Sequence, residues 1–149
     1  MAYRDTASFG KRQEYVAIAE LLKRGFDVYM TLVDDQGIDC VVRLDHKRYI
    51  DIQIKARSKT AIHWSFFAAM DFKPRDNYYF IFYLEKNNTF WTIPSKHVAK
   101  LSIQNKAGKN KGKYSLTLPK VEHTEKAFNF LNYKNDRGFD LLKVYKKRK

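Results

Sequence analysis

Between Tyr49 and Arg57 the chain reads YIDIQIKAR, with Ile50, Ile52 and Ile54 alternating with Asp51, Gln53, Lys55 and Arg57. Successive side chains of a strand point to opposite faces, so the alternation predicts a strand with one apolar and one polar face. Upstream, Tyr15, Ile18, Ala19 and Leu22 recur at i, i+3, i+4 and i+7. That period predicts a helix from about Asp5 to Arg24, stopped by Gly25, with Asp5, Thr6 and Ser8 as alternative caps. FDVYMTLV (Phe26 to Val33) and IDCVVRL (Ile38 to Leu44) read as strands separated by the turn residues DDQG. With DHK as a second short turn, the three strands form a meander.

The second half is less regular. SKTAIHWSFFAAMDFKPRD (Ser58 to Asp76) follows neither period and reads as an irregular segment with room for a short helix. NYYFIFYLE (Asn77 to Glu85) is almost continuously apolar and aromatic, the pattern of a strand buried on both faces. KNN turns the chain into TFWTI, a further strand, and Pro94-Ser95 opens a helix through KHVAKL. NKAGKNKGK (Asn105 to Lys113) reads as a basic loop, YSLTL as a short strand, TEKAFNFLNY as a helix capped by Thr124, and KVYKKRK as a basic tail. A helix, a meander, two more strands and further helices imply an α/β fold with a mixed central sheet flanked by helices.

Composition narrows the partners. The 149 residues suit one domain (1–149), and 44% hydrophobic with 15% aromatic residues exclude a disordered tail. Lys and Arg number 29 against 16 Asp and Glu, a net charge of +13 that favours an anionic partner. Nucleic acid comes first and an anionic membrane surface second. No run approaches the roughly 20 apolar residues of a membrane span, and MAYRDTASFG lacks an apolar signal core, so a cytoplasmic location is expected. Cys40 has no second cysteine to pair with, no Cys/His spacing marks zinc, and the thiol is expected to pack within its apolar strand.

The polar face of the quoted strand has two readings, a solvated surface or a row of metal and phosphate ligands. Three features favour the second. Asp39 in GIDCVV starts the preceding strand among apolar neighbours. Glu14 stands four residues before Ile18 and eight before Leu22, on the inward stripe of the helix, where an acid is not expected. The meander then brings Asp39 beside Gln53 and Lys55. A hard cation such as Mg²⁺, or Mn²⁺, prefers oxygen ligands and retains waters, so one or two carboxylates and neutral carbonyls suffice. Asp39 would be the main ligand, with the Gln53 side-chain oxygen and the Ile54 main-chain carbonyl beside it. Glu14 would hold a water or a second ion, and Lys55 would act on the attacking water and the phosphate.

A helix glutamate, GID on one strand and QIK on the next resemble the PD-(D/E)xK nuclease superfamily, the restriction-endonuclease-like fold. The likeness covers about Gly10 to Arg57 and is strongest to small variants with glutamine in place of the middle acid, including some homing endonucleases and Holliday-junction resolvase relatives. It implies a metal-dependent DNA endonuclease with Glu14, Asp39, Gln53 and Lys55 as catalytic residues, leaving a 5′-phosphate and a 3′-hydroxyl. Lys11, Arg12, Arg57 and Lys59 would contact the nucleic-acid backbone, and a homo-oligomer would serve to cut both strands. Gln53 removes one negative charge from the metal site, which Asp51 on the same face could restore. A non-catalytic nucleic-acid-binding module that retains the fold is the alternative. His46, His63, His97 and His123 share no motif and read as surface or packing residues; His63-Trp64 follows the site strand closely enough to approach a nucleotide.

Overall fold

Helix α1 (Tyr3–Lys23) begins upstream of all three candidate caps, so Asp5, Thr6 and Ser8 lie within it. The computed structural model describes residues 3–33 and 36–146; Asp34 and Asp35 of the first turn and Lys147 to Lys149 of the basic tail lie outside the described residues. The buried stripe of α1 is Gln13, Ala17, Ile18 and Leu21, whereas Tyr15 and Leu22 are 53% and 55% exposed. This stripe is rotated by one residue, about 100°, from the expected one. Ile18 belongs to both stripes, and the small Ala17 lies against the sheet where Tyr15 was expected.

The meander forms as expected, from β1 (Asp27–Met30), β2 (Cys40–Arg43) and β3 (Tyr49–Arg57), with β1 and β2 shorter than their apolar runs. Strand β5 (Tyr78–Leu84) pairs parallel with β3, and β6 (Thr89–Pro94) pairs antiparallel with β5. The central sheet therefore has the order β1-β2-β3-β5-β6. Ser58–Asp76 holds no helix. It contains strand β4 (Phe66–Met70), whose register breaks between Phe67 and Met70, with Ala69 at φ 51°. A second sheet, β4-β8-β7, pairs β4 with β8 (Tyr114–Thr117) and β8 with β7 (Ile103–Gln104).

Helix α2 (Ser95–Leu101) follows β6, and α3 (Glu125–Phe130) starts where the Thr124 hydroxyl accepts from the Ala127 N–H at 3.0 Å. A 3-10 turn (Leu131–Tyr133) then leads into α4 (Asn135–Lys143), an element the sequence patterns did not predict.

Two apolar layers sandwich the central sheet. On one face Ile50, Ile52, Ile54 and Ile81 pack with Ala17 and Leu21 of α1 and Phe139 and Leu142 of α4. On the other, Phe80, Phe82 and Trp91 pack with Phe67, Leu116 and Phe130 from the second sheet and α3. Every residue of β5 is buried, as its unbroken apolar run implies. The central sheet is mixed and flanked by helices, in agreement with the expected architecture.

Candidate active site

The site begins where two paired strands part. The β2–β3 ladder runs from Arg43↔Tyr49 to Cys40↔Ile52, while β3 continues to Arg57. The Asp39 N–H still donates to the Ile52 carbonyl at 2.8 Å, but Ile54 has no β2 residue opposite. Its N–H is buried and needs an acceptor, and the Asp39 carboxylate provides one at 2.7 Å. Asp39 is 6% exposed, so the hydrogen bond is made out of water. Because N–H and C=O of one strand residue point to the same side, the Ile54 carbonyl faces the same gap.

Gln53 stands beside this carboxylate. Its amide nitrogen donates to Asp39 Oδ2 at 3.3 Å, and its oxygen lies 3.1 Å from the Tyr78 hydroxyl. Tyr78 also donates to the Gly37 carbonyl at 2.7 Å, tying the turn before β2 to the same cluster. Gly37 has φ 66°, a backbone conformation that favours glycine, and a Cβ there would push the Gln53 side-chain oxygen out of its place. Sequence reasoning treated Tyr78 as packing and Gly37 as turn chemistry; neither residue type alone signals a role beside Gln53.

On the open side of β3 a cleft of about 370 Å³ is lined by Phe9, Gly10 and Glu14 of α1, Ile54 to Arg57 of β3, and Ser58 and Ala61 beyond it. Glu14 and Lys55 thus face one space from different elements. Glu14 reaches it because it precedes Ala17, Ile18 and Leu21 by three, four and seven residues, at the end of the buried stripe. Its carboxylate pairs with Lys11 at 3.0 Å. That hydrogen bond holds the Lys11 ammonium above its usual pKa, and the charge of Asp39 adds to the effect through space. Among the described residues Lys55 forms no ion pair. No group of three or more His, Cys, Asp or Glu able to hold a metal occurs among the described residues.

Asp51 does not join this cluster. Its carboxylate pairs with Arg75 at 2.8 Å, and the same guanidinium donates to Asn77 at 2.7 Å. Of the other expected cations, Arg57 lines the cleft. Arg57 donates to the His63 carbonyl at 3.2 Å, Arg12 lies 5.8 Å from the Phe9 ring, and the Lys59 N–H donates to Glu85 at 3.1 Å. Glu85 also accepts from Gln13 at 3.0 Å, leaving the buried Gln13 oxygen without a partner in the fold. His63 itself is exposed, and Trp64 lies between the ammonium groups of Lys86 and Lys120, at 5.4 and 5.7 Å.

Comparison of the whole chain with solved structures gives a match to the bacterial homing endonuclease I-Ssp6803I. The two superpose with a TM-score of 0.62 over 90% of each chain, at 16% sequence identity. The chain shares that protein's fold. No family model matches the sequence, and no curated protein matches it. At this identity the likeness is one of architecture, and the chemistry must be argued from the residues at the β2–β3 fork. Cys40, at the start of β2, is fully buried, and desolvation followed by the Asp39 charge raises its thiol pKa from 9.0 to about 12. It is a packing residue here, as its apolar neighbours imply.

Proposed function

We propose that the protein is a metal-dependent DNA endonuclease of the PD-(D/E)xK type, with its centre at the β2–β3 fork. The observation that carries this reading is the buried Asp39 carboxylate on the Ile54 N–H beside Gln53, with Glu14 and Lys55 on the adjoining cleft. The shared fold with a homing endonuclease supports the nuclease class, and the net charge of +13 supports a polyanionic substrate.

The residues fit a hard divalent cation. Asp39, the Ile54 carbonyl and the Gln53 side-chain carbonyl would offer oxygen ligands, and Glu14 lines the cleft that Ile54 also borders. Gln53 would turn its amide to present oxygen, exchanging the atom that meets Asp39 for the one that meets Tyr78. Such a cation, Mg²⁺ or Mn²⁺, would supply Lewis-acid stabilisation of phosphate charge and a more acidic water.

This chain's own residues do the rest. Lys55 holds the attacking water by hydrogen bonding and offsets charge growing on the phosphate oxygens. Glu14 orients water across the cleft once Lys11 turns from it to a phosphate, an exchange made easy because the pair is solvent-exposed and worth under about 1 kcal/mol. Arg57 and Lys59 hold the phosphates on either side, so the scissile one rests against β3.

Lys55→Ala tests the assignment. Cleavage should fall by about 10²-fold or more, while the affinity for duplex DNA changes by less than about tenfold. Cleavage at the wild-type rate would remove Lys55 from the mechanism. A second reading, a binding module that kept the fold without chemistry, draws on the same Gln53–Asp39 hydrogen bond, since an amide already satisfies the carboxylate. It predicts DNA binding with no products under any divalent cation.

A further inference from the structure

From Lys86 to Val121 the sequence contains eight lysines and no Asp or Glu, a large part of the net charge of +13. Four of them, Lys106, Lys109, Lys111 and Lys113, fall on the connection between β7 and β8. This connection is a loop, as expected, and backbone hydrogen bonds close it into the end of a hairpin. Asn105 N–H donates to Lys113 O at 2.9 Å, Gly112 N–H to Asn105 O at 2.8 Å, and Lys113 N–H to Asn110 O at 3.0 Å. Gly108 and Gly112, at φ 78° and 85°, make the reversal. β7, this closed loop and β8 therefore make a β-hairpin whose paired strands reach to Gln104 and Tyr114.

Its surface is specific in kind. Among the described residues none of the four lysines forms an ion pair, although Lys11, Lys96, Lys134 and Lys143 elsewhere all do. The side-chain amides of Asn105 and Asn110 also make no hydrogen bond within the described fold, so donors and acceptors sit among the ammonium groups. The other end of β8 leads to the segment that holds Arg57, a residue of the cleft. Leu118 N–H donates to Ser65 O at 2.9 Å, next to Trp64 and the His63 carbonyl that holds Arg57. From Leu118 to Asn110 the chain, even fully extended, would span at most about 27 Å, which is about eight base pairs of rise and less than one turn of B-DNA.

We propose that the β7–β8 hairpin seats in the major groove of duplex DNA within one helical turn of the cleft, its lysines on the flanking phosphates and its asparagines toward base edges. The inference rests on the nuclease reading and adds to it the element that would hold the duplex and the groove it would enter. A two-stranded ribbon enters the major groove of B-DNA, about 12 Å wide, whereas the deep, narrow major groove of A-form RNA shuts it out. The partner is duplex DNA.

The test measures binding without divalent cation, so that it does not depend on cleavage. Three labelled duplexes of mixed sequence serve as probes: plain DNA, DNA with glucosylated 5-hydroxymethylcytosines that fill the major groove, and RNA. The wild-type protein should bind plain DNA at least about tenfold more tightly than either of the others. The triple variant Lys106→Gln, Lys109→Gln, Lys111→Gln should lose that preference, keep its Tm, and lower the slope of log K against log salt by about 2 to 3; Lys109→Gln alone should lower it by about 0.9. Equal wild-type affinity for all three duplexes, or a triple variant with the wild-type slope, overturns the hairpin's role while leaving the fork chemistry standing. A wild-type protein that binds no duplex at all overturns the nuclease reading together with it.

Discussion

At the scale of single residues, the centre of this molecule is one carboxylate doing two jobs. Asp39 ends a ladder by satisfying the orphaned Ile54 N–H, and the same burial concentrates its charge on Gln53, Lys11 and Cys40. Cys40 reports this environment directly. Its folded pKa is raised from 9.0 to about 12, so the stability this group contributes is fully present below its unfolded pKa and is lost as pH rises through about 12. At pH 8 the native thiol should resist aromatic disulfide reagents and react only on unfolding, so its labelling rate should track the denaturant transition. Rapid labelling of the native protein would place Cys40 in reach of solvent and contradict the packed environment.

Much of this residue pattern was legible in the chain. That Gln53 and Lys55 share a strand face, with Asp39 near Gln53, could be read because period 2 holds through β3 and the meander pairs it with β2. The phase of α1 was not legible. Two overlapping stripes both contain Ile18, and hydrophobicity ranks Tyr15 and Leu22 above Gln13 and Ala17, although close approach to the sheet selects the small residue. Nor could one read that Asp51 is taken by Arg75, since the ion pair joins residues from opposite ends of an irregular segment.

At the scale of elements, the missed pieces share a cause. β4 is interrupted by a register shift with Ala69 at positive φ, which erases the alternation of FFAAM. α4 opens on Asn135 at φ 46° and carries Gly138 at its centre, two signals that normally end a helix. Both have a packing reason. Asn135 accepts the Phe90 N–H at 2.9 Å, and a Cβ on Gly138 would run into the Tyr133 carbonyl and meet Thr92 N at 3.0 Å. The neighbours are main chain and cannot swing aside. Gly138→Ala should therefore cost about 1–3 kcal/mol, despite the higher helix propensity of alanine. Denaturant unfolding checks this, and an unchanged or raised midpoint would show that α4 does not cross so closely.

At the scale of the whole molecule, a mixed sheet covered on both faces leaves only its strand ends and edges for chemistry. The fork between β2 and β3 is such an edge, and α1 closes one side of it while the segment after β3 closes the other. Among the described residues no helix is long and apolar enough to cross a membrane. The positive charge is uneven along the chain, with the acid-free stretch from Lys86 to Val121 containing β6, α2, β7, the hairpin loop and β8. Under the proposed nuclease function this layout would separate holding a polyanion from cutting it, so salt should act mainly on affinity and the fork residues mainly on rate.

The most direct test of that account is nicking of supercoiled DNA by the wild type and Asp39→Asn, each with Mg²⁺, with Mn²⁺ and with chelator. Asparagine retains an oxygen for the Ile54 N–H, so the variant should fold and bind DNA while losing the carboxylate. Products are expected only from the wild type and only with a divalent cation. Products in chelator, or nicking by Asp39→Asn at the wild-type rate, would contradict a metal-dependent centre at the β2–β3 fork.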